Sequence, residues 1–197
     1  PDQIRLYKEA QFTLMIAASE KEVRLAQEQN LATLLYNPKM AHQPFTDGAL
    51  NEVSSMAKRY KNIVGFQVWD EPSPDRFPDI ARWTRELHKV HPNHLAWINL
   101  HPVKIVEEEL PGVTTYAPYL DDFIAQTGPD VLSYDNYGSL RESNDDIFFY
   151  KDFEESYVFY NMAFFRDRSL QHGIPFWGFA ISSPHWTYFT PSEADLR

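Results

Sequence analysis

The chain has 197 residues, 43% of them apolar, and a formal net charge of −10 at neutral pH. That apolar share is enough to close a core, while the acidic balance argues against nucleic acid and anionic membrane as main partners, because both demand a basic face. The absence of cysteine excludes disulfides, thiolate metal sites and a cysteine nucleophile, and no run of about 18 apolar residues is present to cross a bilayer.

The numbering opens on a helical pattern, PDQIRLYKEA, with no secretory signal. A targeting segment upstream, on a secreted or periplasmic bacterial protein, is the expectation. FTLMIAA, residues 12–18, reads as the first strand. SEKEVRLAQEQN follows as an amphipathic helix, with Ser19 as cap and Glu22 at the capping-box position. ATLLY, residues 32–36, is the next strand, ended by Asn37 and Pro38. Asp47 is placed to cap the helix GALNEVSSMAKRYK. A strand over residues 63–69, the helix FPDIARWTRELHKV and the strand HLAWINL, residues 94–100, come next. A short helix over residues 119–126 leads to the strand DVLSYDNY, residues 130–137. A long aromatic helix from Phe148 to about Gln171 ends at Gly173, a C-cap residue. PFWGFAIS, residues 175–182, is the last strand, and PSEADLR reads as the opening turn of a further helix.

The strand segments are continuously apolar rather than alternating, so both faces should be buried, which in chains with helical crossovers means a parallel sheet. A spacing of about 20 to 40 residues per unit suits a TIM (β/α)8-type barrel, whose full length is about 250 residues. Six units therefore imply an incomplete barrel of a single domain over residues 1–197. A doubly wound open sheet is the other candidate, but no glycine-rich phosphate turn follows any strand.

Barrel chemistry is carried at the carboxyl ends of the strands. There the sequence places Asn37, then Trp69, Asp70 and Glu71, then Asn99 and His101, then Asp135, Asn136 and Tyr137, and finally Ser182, Ser183, His185 and Trp186. These are carboxylates, amides and aromatic rings, with no lysine or arginine as a phosphate site would want. The set suits a neutral polyhydroxylated ligand, an oligo- or polysaccharide, with Trp186 as a platform for a sugar face. Glycoside hydrolysis needs two carboxyl groups. Glu71, held between a strand and Pro72, is placed to donate a proton. Trp69, two residues back on the same side of the pleat, would wall it and raise its pKa. No cofactor is implied. His42, His101, His185 and Asp70 offer a metal reading, weakened because no close histidine pair accompanies them. Asp70 can also serve by bonding loop amides, and Asp135 by closing an Asx turn. Phe149, Phe153, Tyr157, Tyr160 and Phe164 share a helix face expected to pack as core. Trp177 and Phe179 share a strand face with the same expectation.

VWDEPS, at the end of the third visible strand, resembles the Asn-Glu-Pro motif of clan A glycoside hydrolases, with Asp70 in place of the asparagine. YKEAQFTLMIAA resembles the passage into their second strand, and NLATLLYNP their third. The resemblance implies a (β/α)8 barrel glycosidase seen from strands two to seven, with Glu71 as acid/base. It also implies a glutamate nucleophile ending strand seven, and FWGFAISSPHW contains no acid; Glu193, the nearest, falls on the following helix. The nucleophile role then passes to Asp135, with Asp70 as a further catalytic candidate, or the chain is a non-catalytic carbohydrate-binding or structural relative. A strand-four and strand-six pair is similar to the α-galactosidase-like clan, where the roles are reversed, so the roles within the pair stay open. Two open barrel edges would further imply missing strands supplied by a longer chain.

Overall fold

The computed structural model describes residues 2–108, 110, 115–136 and 148–179. In chain order these form α1 (Asp2–Glu9), β1 (Leu14–Ala17), α2 (Glu20–Glu28), β2 (Ala32–Leu35), α3 (Asp47–Arg59) and β3 (Ile63–Asp70). A short 3-10 turn over Pro74–Arg76 leads into α4 (Phe77–Val90), followed by β4 (Leu95–Leu100), α5 (Val103–Glu108), α6 (Tyr116–Thr127), β5 (Leu132–Tyr134), α7 (Phe148–His172) and β6 (Phe176–Gly178). The strands form a parallel sheet in the order β1-β2-β3-β4-β5-β6. Alternation of strand and helix along one sheet order makes this a partial (β/α)-type barrel, as the strand composition predicts.

By internal packing the chain divides into two compact units, Pro1–Asn99 with Asp122–Val131, and Leu100–Asp121 with Leu132–Arg197. The core of the first is built on β3, whose interior residues Phe66 and Val68 are wholly buried. The inner stripe of α4, Phe77, Ile80, Trp83 and Leu87, packs there too. Phe77 meets Phe123 edge-on at 5.4 Å. Burying each such side chain stabilises the fold by about 1.5–3 kcal/mol. In the second unit Tyr134 stacks on Phe165 at 4.2 Å, and Asn161, fully buried on α7, accepts the Val103 N–H at 2.9 Å.

Local chemistry explains three of the element ends. Ser19 Oγ accepts the Glu22 N–H at 3.2 Å, while the Glu22 carboxylate reaches back to the Ala18 N–H at 2.8 Å. Gly173 takes φ 68° after α7, where its missing Cβ is needed. Thr46, rather than Asp47, caps α3: its Oγ1 accepts the Ala49 N–H at 3.2 Å. Asp47 lies one residue inside the helix, where its charge still favours the positive end of the macrodipole. The sequence pattern missed α5. β1 starts at Leu14, not Phe12, and Phe12 is 47% exposed. Tyr160 and Phe179 also depart from the core expectation at 48% and 38% exposed. Tyr160 lies on the outer side of α7, and Phe179 follows the end of β6. Phe164 and Trp177 are half-buried.

Candidate active site

In the first unit the carboxyl ends of β2, β3 and β4 carry Asn37, Asp70 with Glu71, and Asn99. The ladder between β3 and β4 is irregular: Gln67 pairs with Trp97, but Trp69 pairs with Ile98 and Asp70 with Asn99. Val68 is the extra residue of this bulge, and its carbonyl accepts the His42 N–H at 3.2 Å. Without the bulge Asp70 would fall opposite Leu100. With it, the Asn99 side-chain amide donates to Asp70 Oδ1 at 3.0 Å.

One residue later the strand stops. Glu71 adopts φ 51°, the left-handed region that side-chain-bearing residues seldom occupy, and does so immediately before proline. Its N–H donates to the Asn99 carbonyl at 2.7 Å. A conformation of this kind carries about 1–3 kcal/mol of strain and persists only where neighbours impose it. The pleat therefore ends at Asp70, and the alternation expected to set Trp69 and Glu71 on one side does not extend to Glu71. Trp69 is buried, at 6% exposure, and Glu71 is exposed.

The loop between β2 and α3 lies beside this strand end. His42, itself at φ 60°, brings its ring to 5.7 Å from the Trp69 ring, and Trp83 Nε1 donates to the Gln43 carbonyl at 2.8 Å. The sequence suggested His42 only as a metal ligand. Asn37 is buried with both ends of its amide engaged: its nitrogen donates to Glu52 Oε1 at 3.0 Å, and its oxygen accepts the Lys39 N–H at 2.9 Å. Lys39 donates to Glu52 at 2.6 Å. The bonds from Lys39 and then Asn37 hold the Glu52 carboxyl below the usual carboxylate range.

The second unit carries His101, Asp135 and Asn136, each half-buried. The His101 carbonyl accepts the Tyr116 hydroxyl at 2.7 Å, and the Tyr116 N–H donates to Glu107 at 2.9 Å. Burial, followed by the neighbouring Tyr119, Tyr134 and Asp135, raises the Tyr116 phenol well above its ordinary range. Burial alone pushes Tyr134 up to about 12. Neither phenol is an acid near neutral pH. Tyr137, Ser182, Ser183, His185, Trp186 and Glu193 lie outside the described residues.

Contrary to expectation from the sequence, a close histidine pair is present at the opposite, amino-terminal end of β4. The rings of His91 and His94 are 4.9 Å apart, His91 Nε2 lies 2.9 Å from Ser54 Oγ, and Phe66 stacks on His94 at 5.7 Å. The signal was the spacing HPNH just before a strand. Among the described residues no group of three or more histidine, aspartate and glutamate side chains is arranged to hold a metal ion.

No family model and no curated protein matches the chain. Among solved structures it is similar to Bacteroides uniformis beta-glucuronidase 2 covalently bound to cyclophellitol-6-carboxylate aziridine. The TM-score is 0.52 at 10% identity, over 88% of this chain and 21% of that one. Two further similar structures are an FMN-binding beta-glucuronidase from Facaelibacterium prausnitzii L2-6 and an endo-1,4-beta-mannanase from Eisenia fetida. The first has a TM-score of 0.43 at 15% identity, over 90% of this chain and 34% of that one. The second has a TM-score of 0.40 at 8% identity, over 86% and 66%. The chain thus spans about a fifth of the length of the Bacteroides protein. The first likeness shows a fold that glycoside hydrolases use.

Proposed function

We propose that the chain carries the acid/base half of a glycoside hydrolase site, with Glu71 as proton donor and a second carboxylate, Asp135 ahead of Asp70, as its partner. The observation that carries this reading is the backbone at Glu71. A carboxylate at the carboxyl end of a parallel strand is held in a left-handed conformation, with its N–H bonded to the next strand. Strain of this kind gathers at functional sites. Glycosidase function also agrees with the fold of the Bacteroides beta-glucuronidase and with a strand-end inventory of amides, carboxylates and aromatic rings.

In this account the Glu71 carboxyl gives its proton to the glycosidic oxygen as the C–O bond to the anomeric carbon breaks. The second carboxylate attacks the anomeric carbon or activates a water to do so. Glu71 is exposed, and cover by a sugar ring would disfavour a charged carboxylate there, as a working acid requires. Asn37, Trp69, Asn99, His101, Asn136, Tyr137, His185 and Trp186 are proposed to line or support the substrate site.

The test is hydrolysis of a panel of aryl glycosides, β-glucuronides included, with the product anomer followed by NMR. Retention corresponds to carboxyl groups about 5–5.5 Å apart and inversion to about 6.5–9.5 Å. The segment FWGFAISSPHW without an acid favours one other reading, a carbohydrate-binding relative without catalysis. Saturable sugar binding with no turnover on any glycoside would select it.

A further inference from the structure

We infer that Asn99 is a positioning residue rather than a sugar ligand, and that it acts through both its main chain and its side chain. The inference rests on the reading of Glu71 as the proton donor. The Asn99 carbonyl accepts the Glu71 N–H at 2.7 Å, and its side-chain amide donates to Asp70 at 3.0 Å. Two neighbouring acidic residues are thus tied to one residue of β4, which is itself only 3% exposed.

The geometry makes the two bonds interdependent. Asp70 is the last residue in strand conformation and Glu71 the first outside it, so the left-handed turn begins where the ladder ends. The Asp70–Asn99 side-chain bond fixes the register at that last rung, which the Val68 bulge has shifted by one residue. That rung also carries the parallel-ladder bond from the Glu71 N–H to the Asn99 carbonyl, so β4 holds the main chain up to the N–Cα bond about which Glu71 turns. Releasing the rung would let Glu71 relax toward the extended region favoured before proline, and its carboxyl would move with it. A displacement of about 1 Å at a reacting group costs about 10²-fold in rate.

The test exchanges the two partners. Asn99→Asp removes the donor and sets two carboxylates against each other, Asp70→Asn leaves only a weaker amide–amide bond, and the double exchange restores the amide-to-carboxylate bond with donor and acceptor reversed. On an aryl glycoside with a poor leaving group, each single variant is expected to lower kcat about tenfold or more with KM within about threefold, and the double exchange to recover most of the loss. The second readout needs no substrate. Hydrogen exchange at the Glu71 amide should quicken about tenfold in each single variant and slow again in the double, while the other β3 amides are unchanged.

A double exchange as impaired as the worse single variant in both readouts would overturn the inference. So would single variants that leave the Glu71 amide at its wild-type exchange rate. If the wild-type chain cleaves no glycoside, the proposed function fails, and the exchange rates alone decide whether Asn99 holds the turn.

Discussion

Gly65 on β3 and Leu95 at the start of β4 approach so closely that a Cβ on Gly65 would come within 2.7 Å of the Leu95 carbonyl oxygen. It would also meet Leu34 Cδ2 at 2.8 Å, so neighbours on both flanking strands press on one position. The glycine is there for closeness, and main-chain atoms cannot give way as a flexible side chain can. Gly65→Ala is therefore expected to destabilise the chain by about 1–3 kcal/mol, read from urea unfolding. An alanine variant as stable as the parent would mean that β3 and β4 can separate without loss.

The histidine pair at the amino-terminal end of β4 should make stability depend on mild acid. Burial lowers the His91 pKa, helped by His94 and Lys58; burial also lowers that of His94, with Lys61 adding to it. A folded pKa below the unfolded value of about 6.5 means that the unfolded chain takes up protons first as the pH falls. The stabilisation is fully present above about pH 6.5 and is lost progressively below it, down through the folded pKa values. A His91→Asn, His94→Asn double variant should flatten the slope of unfolding free energy against pH just below 6.5. A slope unchanged in the variant would place the acid sensitivity elsewhere.

Glu71→Gly should separate stability from activity. Glycine occupies φ 51° freely, so the substitution removes strain, partly offset by the greater entropy of glycine in the unfolded chain. A net gain of about 1 kcal/mol is expected. In the same protein glycosidase activity should be lost, the trade expected where strain serves a site. A glycine variant less stable than the parent would mean that the glutamate side chain makes contacts worth more than the strain.

Much of this could be read from the residues. Continuous apolar runs announced parallel strands, largely buried in β2 to β5 but only partly so in β1 and β6, where Ile16 is 44% exposed; Ser19 and Glu22 announced the start of α2, and Gly173 the end of α7. FPDIARWTRELHKV corresponds to α4 residue for residue. The carboxyl-end location of Asp70, Glu71 and Asn99 was legible because strand order follows chain order. What was not legible depends on pairing between distant segments. The Val68 bulge exists only relative to β4, and it decides that Asp70 rather than Trp69 meets Asn99. The left-handed turn at Glu71 runs against the preference of a residue before proline, so no local rule would announce it. Thr46 displaced Asp47 as cap because either residue can serve and the helix begins one position earlier. From the sequence His42 shows only its metal chemistry, because its approach to Trp69 depends on how a loop folds over another strand.

Whether Glu71 delivers the proton is decided by how Glu71→Gln responds to the leaving group. Removing a general acid costs about 10²–10⁴-fold where the departing oxygen needs protonation, and far less where it leaves readily as a stabilised phenolate. Glu71→Gln, folded and as stable as the parent, is expected to lose kcat/KM about 10²-fold or more on alkyl or unsubstituted phenyl glycosides, whose leaving groups are poor, and to keep most of it on dinitrophenyl glycosides. Equal rates for variant and parent on the poor leaving groups would contradict a proton-donor role.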